Sequence, residues 1–269
     1  MTLPSYHTHT EFCDGKSTAE EMILSAIERG MVEIGFSGHS YTHGQESWCM
    51  SESSAPKYRE TLAVLREKYK SKIRVYIGIE QDILSNEPTE PYDYVIGSVH
   101  GLLVGDGLLD VDSKPERIRE ATKHYYSGDP YLYVEEYFSV ASQLYLRTRC
   151  DIIGHFDVVT KFIESEPLFS TSHLRYIAAR DAALERLLMS PALFEINTGA
   201  ISRGFRTAPY PEWSVIERIA EAGKPFVITS DAHGKEFLDF GLLDVAHELD
   251  KRKIKYVTSL DEVLSITRA

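Results

Sequence analysis

Seven short runs rich in β-branched and aromatic residues recur along the chain, and amphipathic helical windows separate them. The runs are residues 5–10, "EIGFSGH" at 33–39, "IRVYIGIE" at 73–80, "YVIGSVH" at 94–100, "DIIGH" at 151–155, "LFEINT" at 193–198 and "PFVITSDAH" at 225–233. Between them the spacing predicts a helix from about residue 18, with Ser17 as cap, Glu20 closing a capping box and Gly30 as stop. Further helices carry Tyr58, Leu62, Leu65 and Tyr69, then Val134, Tyr137, Ala141 and Leu144, then residues 172–188, then Trp213, Ile216 and Ile219. The tail, with "KIKYVTS", adds either one more strand or a closing segment. Strands that alternate with helices favour a parallel sheet. About seven such units predict an α/β barrel of the closed (β/α)₈ type, one unit short. An open doubly wound sheet is the alternative. It is weakened because no glycine-rich dinucleotide or phosphate loop follows the first run.

In a strand, residues two apart share a face, so His7 and His9 stand side by side. A divalent cation is the usual reason to pair imidazoles in that way. The other runs end in the same chemistry: His39, Glu80, His100, His155, and Asp231 with His233. In a parallel barrel these ends meet at one mouth. Asp14, in the loop after the first run, reaches the same place.

Each feature has a plainer reading. The His7–His9 pair could be an ordinary surface or core pair, and Asp231 could simply cap a helix. His124, His173 and His247 lie in helical windows and read as structural or solvated. Glu80 is harder to dismiss, because a carboxylate closing a buried strand must be paired or solvated. Together the nine candidates, six His, one Glu and two Asp, suit two or three metal ions with water in the gaps. Glu80 is the natural bridge between cations. The imidazole and carboxylate set permits Zn, Mn or Fe, with zinc first.

Composition narrows the partners. With 269 residues and 43% hydrophobic side chains, the chain can bury a sizeable core. A net charge of −12 argues against a general nucleic-acid binder, yet leaves room for one small phosphate in a local cationic site. Cys13, Cys49 and Cys150 do not form a disulfide framework, no secretory leader is visible, and no apolar stretch is long enough to span a bilayer. A reducing cytoplasm is the expectation, with no membrane partner. Oligomeric state is not legible.

"HTHTEFCDG", "SGHS", "IGIE", "GSVH", "IGHFD" and "SDAH", in this order from residue 7 to residue 233, resemble the PHP (polymerase and histidinol phosphatase) family. Within it, "GSVHGL" and "TSDAH" look most similar to the monofunctional histidinol-phosphate phosphatases. The resemblance implies a distorted TIM-like (β/α)₇ barrel, one domain over residues 1–269, and a trinuclear site. His7, His9, Glu80 and Asp231 would hold one metal, Glu80, His100 and His155 the second, and Asp14, His39 and His233 the third. Some family members carry histidine where this chain has Asp14.

The implied reaction converts L-histidinol phosphate and water to L-histidinol and phosphate, a step of histidine biosynthesis. A hydroxide bridging two metals would attack phosphorus, and Asp231 or His233 would supply the leaving group's proton indirectly. The loop "NTGAISRGFRTAPYP" brings Arg203 and Arg206 as phosphate contacts, with Arg203 favoured, and His43 is a further candidate. Glu46 and Trp48 would form part of a lid. Competing readings are a PHP-type phosphodiesterase or exonuclease, a phosphatase of another small ester, an amidohydrolase, and a metal-storage protein. The amidohydrolase class typically uses a bridging lysine, and no strand end identified above is a lysine.

Overall fold

In a computed structural model, which describes residues 2–269, nine strands are present. They are β1 (Glu33–Phe36), β2 (Arg74–Asp82), β3 (Tyr94–Ser98), β4 (Gly101–Val104), β5 (Gly107–Asp110), β6 (Ile152–Ile153), β7 (Leu193–Asn197), β8 (Phe226–Thr229) and β9 (Tyr256–Val257). Seven of them make one curled sheet in the order β1-β2-β3-β6-β7-β8-β9. Every neighbouring pair in it is parallel. Strands β4 and β5 form a separate antiparallel hairpin that the alternation did not predict.

The first predicted strand, residues 5–10, has no regular ladder. It is an extended segment that changes partners part-way. Gly35 N donates to Ser5 O and Ser37 N to Thr8 O on the β1 side, while His9 N donates to Ala232 O and Ala232 N to His7 O on the β8 side. Through these bonds the segment closes the distorted barrel between β1 and the end of β8. Other predicted strands also stop short of the residues that end them. Strand β1 ends at Phe36, β3 at Ser98, β6 at Ile153 and β8 at Thr229. Only Glu80 sits inside its ladder. The remaining candidate residues lie just beyond, where the backbone is free to turn inward.

The first helix is Ala19–Glu28, and its cap is shifted by one residue from the predicted one. Thr18 accepts from Glu21 N, and Glu21 answers on Thr18 N, a complete capping box. The Ser17 hydroxyl accepts instead from Lys235 N. The helix predicted through Leu144 is two helices, Pro130–Ala141 and Leu144–Thr148. The tail gives both β9 and a helix, Leu260–Thr267.

Inside the barrel, below the mouth, Tyr6, Tyr94, Ile96, Ile152, Leu193, Val227 and Val257 form a floor that Leu260 and Val263 of the last helix cover. Tyr94 is the largest wedge. Its hydroxyl donates to Phe36 O at 3.0 Å. Its ring occupies the space a side chain at Gly78 would need, since a Cβ there would stand 2.4 Å from the ring. The larger apolar cluster lies between sheet and helices, with Phe36, Ile79, Phe194 and Phe226 on the strands and Tyr58, Leu62, Tyr176 and Ile216 on the helices. The interior is thus filled from below, and a polar cavity is left at the C-terminal ends of the strands.

Candidate metal centre

Glu80 is the hub. Its carboxylate is buried and splits its two oxygens between two sides of the barrel mouth. Oε1 accepts from Ser98 Oγ at 2.6 Å and faces His155 Nε2 at 2.9 Å and His100 Nε2 at 3.2 Å. Oε2 faces His39 Nδ1 at 2.8 Å, His7 Nε2 at 3.2 Å and His9 Nε2 at 3.6 Å. Burial pushes the Glu80 carboxyl pKa up, but His7, His39 and His100 outweigh it and hold the group ionised, well below the usual range.

Asp231 closes the ring from the opposite strand end. Its backbone is in the left-handed region, with φ of 48°, which an aspartate tolerates better than most residues. That turn aims Oδ1 at His9 Nε2, 3.2 Å away, and at His7 Nε2, 3.7 Å away. Burial again opposes ionisation, and Arg203, His7 and His9 overcome it. A third group stands at the rim. Asp14 faces His233 Nε2 at 3.2 Å and His39 Nε2 at 3.5 Å, and the His9 and His233 rings stack at 4.1 Å. Burial and the imidazoles of His233 and His39 pull His9 down to about 3, so it is neutral and keeps a lone pair to give.

All nine residues chosen from the sequence therefore converge. Their ligand atoms fall into four overlapping groups, each within 4.8 Å: His9–Asp14–His39–His233, His7–Glu80–His155, His7–His9–Asp231 and His39–Glu80–His100. Relative to the expected partition, His9 also joins the rim group, and His155 groups with His7 and His100 with His39 rather than with each other, although both face the same Glu80 oxygen.

Do these donors fit a cation? His7 Nε2, His9 Nε2, His39 Nδ1 and Glu80 Oε2 are all buried without a hydrogen-bond partner. Left bare, each such atom costs about 1–3 kcal/mol. The imidazole–carboxylate separations among His7, His9, Glu80 and Asp231 run from 3.2 to 3.7 Å. Donors around a tetrahedral zinc, with bonds of about 2.0–2.1 Å, stand roughly 3.3–3.5 Å apart. His7, His9 and Asp231 form one group spaced about as a cation would space it. Cys13 Sγ lies 3.5 Å from His9 Nδ1, and burial pushes its thiol up to about 12.

The donors open into a cavity of about 330 Å³ lined also by Trp48, Asp110, Asp112, Lys161, Arg203 and Tyr210. Arg203 donates from Nη1 to Asp231 O at 2.9 Å and from Nη2 to Asp231 Oδ2 at 3.0 Å. The other two phosphate contacts expected from sequence are not brought to the cavity. The His43 ring is 95% exposed and pairs outward with Glu46 at 3.1 Å. Arg206 is buried with its guanidinium spent on Glu164 Oε1 at 2.9 Å and Thr160 O at 3.2 Å. Of the proposed lid, Trp48 lines the cavity, packing edge-on against His39 and His100, while Glu46 does not.

Sequence reasoning missed Lys161, whose Nζ is held by Asp112 O at 2.8 Å. It also missed the carboxylates behind the imidazoles. Asp82 Oδ2 faces His100 Nδ1 at 3.2 Å, and Glu195 Oε2 faces His7 Nδ1 at 2.8 Å. The signal was available: Glu195 sits inside the apolar run "LFEIN", a buried-strand carboxylate like Glu80.

Compared with known proteins, residues 5–198 match the PHP domain family. The chain belongs to the PHP family. A Bacillus subtilis relative named histidinol-phosphatase is 24% identical over 84% of this chain and 92% of its own. A PHP-like fold is shared with a solved Listeria monocytogenes chain, TM-score 0.74, 22% identity, covering 90% of this chain and 99% of the other. It is shared too with histidinol phosphate phosphatase of Lactococcus lactis, solved with zinc, L-histidinol and phosphate. That match has a TM-score of 0.66 at 18% identity and covers 95% of both chains. Among the described residues of this PHP chain, no helix is long and apolar enough to cross a membrane.

Proposed function

We propose that this chain, as a single PHP barrel over residues 1–269, hydrolyses L-histidinol phosphate to L-histidinol and phosphate in the cytoplasm. The observation that carries the reading is the convergence of nine imidazole and carboxylate donors in overlapping groups, six of which, Asp14, His39, His100, His155, Asp231 and His233, line one cavity that Arg203 also lines. Relatives that bear the histidinol-phosphatase name support the substrate.

His7, His9, Asp14, His39, Glu80, His100, His155, Asp231 and His233 would hold two or three divalent ions, zinc first, with Mn or Fe as alternatives. Ions so held supply Lewis acidity to phosphoryl oxygens and lower the pKa of water towards neutrality. The chain's own residues do the rest. Arg203 keeps N–H groups beyond the two spent on Asp231, and these grip phosphate oxygens. Lys161 adds a second positive charge to the wall. Asp231 or His233, beside Arg203, would take a proton from the attacking water and relay it to the leaving alkoxide. Asp110, steadied by Gln45 Nε2 at 2.8 Å, and the face of Trp48 receive the ammonium and imidazole of the substrate. A cavity of about 330 Å³ suits a small ester better than a polynucleotide.

The test is metal content of purified protein by mass spectrometry, paired with phosphate release from histidinol phosphate, a neutral monoester and a phosphodiester. Bound metal with fastest turnover of histidinol phosphate is the expected result. Preferential cleavage of the diester would point to the nuclease reading, and bound metal without turnover to storage.

A further inference from the structure

Glu195, in the middle of β7, is fully buried, belongs to none of the four donor groups and does not line the cavity. Yet its carboxylate accepts four hydrogen bonds from around the barrel. Oε1 takes His155 N at 2.6 Å and Asn197 Nδ2 at 2.9 Å. Oε2 takes His7 Nδ1 at 2.8 Å and Thr229 Oγ1 at 2.7 Å.

Two of these donors have no freedom to reverse. His155 N is a backbone amide. The Asn197 amide is oriented because its Oδ1 accepts from Gly199 N at 2.8 Å. A carboxylate only accepts, so the hydrogen of a neutral His7 lies on Nδ1 and its lone pair on Nε2. Nε2 is the buried, unpartnered atom that looks at Glu80 and Asp231.

We propose that Glu195 is a positioning residue that fixes the tautomer of His7, leaving Nε2 free to bind metal, and that anchors His155 through its backbone amide. One carboxylate thereby sets two of the imidazoles that face Glu80. The inference rests on the metal-centre reading above and extends it to a residue outside the donor set.

Glu195→Gln in the full-length protein tests it with almost no change of shape. If the new NH₂ faces His155 N and Asn197 Nδ2, donors meet with no acceptor between them. If it faces His7 and Thr229, the threonine hydroxyl can rotate and accept, but His7 Nδ1 must accept too. Its hydrogen then moves to Nε2 and blocks the metal. Zinc affinity, measured by competition with a chromogenic chelator, is expected to fall about 10–100-fold, with the circular dichroism spectrum retained. Nitrogen-15 NMR of the histidine rings supplies the second readout: Nδ1–H at His7 in the wild-type chain and Nε2–H in the variant.

Wild-type zinc affinity in Glu195→Gln would overturn the proposal. So would Nε2–H at His7 in the wild-type chain, a measurement that stands even if the variant does not fold. A wild-type chain that takes up no zinc would overturn the metal reading and this proposal with it, whereas normal uptake by both proteins overturns the proposal alone.

Discussion

Replacing Arg203 by alanine separates phosphate binding from metal binding, because the two tasks fall on different atoms of Asp231. Arg203 holds Oδ2 and the backbone oxygen of Asp231, at 3.0 and 2.9 Å. The side turned to His9 and His7 is Oδ1, at 3.2 and 3.7 Å. Removing the guanidinium therefore leaves the donor side of the carboxylate in place, still flanked by imidazoles.

What is lost is the charged grip on the phosphoryl group. One hydrogen bond to a charged group is worth about 1.5–3 kcal/mol, and a single oxyanion donor about 10²–10³ in kcat. Arg203→Ala is thus expected to lower kcat/KM for histidinol phosphate about 10²–10³-fold, equivalent to about 3–4 kcal/mol at 1.4 kcal/mol per decade. Arg203→Lys keeps the charge without the fork and should recover part of the loss. Phosphate release across a substrate series gives the kinetics, and mass spectrometry on the same samples gives metal per chain. Wild-type kinetics in the alanine variant would remove Arg203 from the site. A parallel loss of metal and activity would show that it acts by holding Asp231 rather than by touching substrate.

Three further outcomes follow from other parts of the molecule. Asp110→Asn keeps the bond from Gln45 but removes a negative charge from the cavity wall. KM for the cationic substrate should rise about 10–150-fold, in line with about 1.5–3 kcal/mol for one charged contact, while a neutral monoester is unaffected; equal effects on both esters would contradict the assignment. Gly78→Ala drives a methyl group to 2.4 Å from the Tyr94 ring on an immobile strand. Overpacking of this kind costs about 1–3 kcal/mol, or about 2–12 °C in Tm by calorimetry, and an unchanged Tm would mean the floor yields.

Far from the site, Arg175 clamps Asp129 at 2.6 Å and Glu135 at 2.6 and 2.7 Å, holding both carboxyl groups below their ordinary values. A depressed carboxylate stabilises the fold above its unfolded pKa, near 4, and the contribution is lost as pH falls through the folded value. The Tm gap between wild type and Arg175→Gln should therefore be widest above about pH 5 and close towards pH 3. A gap independent of pH would show that the ion pair contributes nothing to it.

Much of the site could be read without coordinates, because one physical rule links sequence order to space. Parallel strands joined by helices must all end on the same side of the sheet. A chain whose successive apolar runs close on His39, Glu80, His100, His155 and Asp231 has no other place to put them. Apolar periodicity likewise determined that Tyr58, Leu62 and Ile216 lie inside, since only one face of each helix can be withdrawn from water. Where periodicity was weak the reading failed, as with the β4–β5 hairpin, whose short strands carry no alternation long enough to register.

Tertiary structure alone decided how each group is used. Arg203 and Arg206 are three residues apart in one loop, yet one lines the cavity and the other is consumed by Glu164. Nothing local distinguishes them, because their partners come from other segments of the chain. The same holds for His7. Its place at the mouth follows from its own run, but the nitrogen it presents depends on Glu195, which is 188 residues away. Strand order sets where a side chain arrives. Hydrogen bonds from distant strands set its tautomer, its charge and its aim, and those are long-range properties that no local pattern encodes.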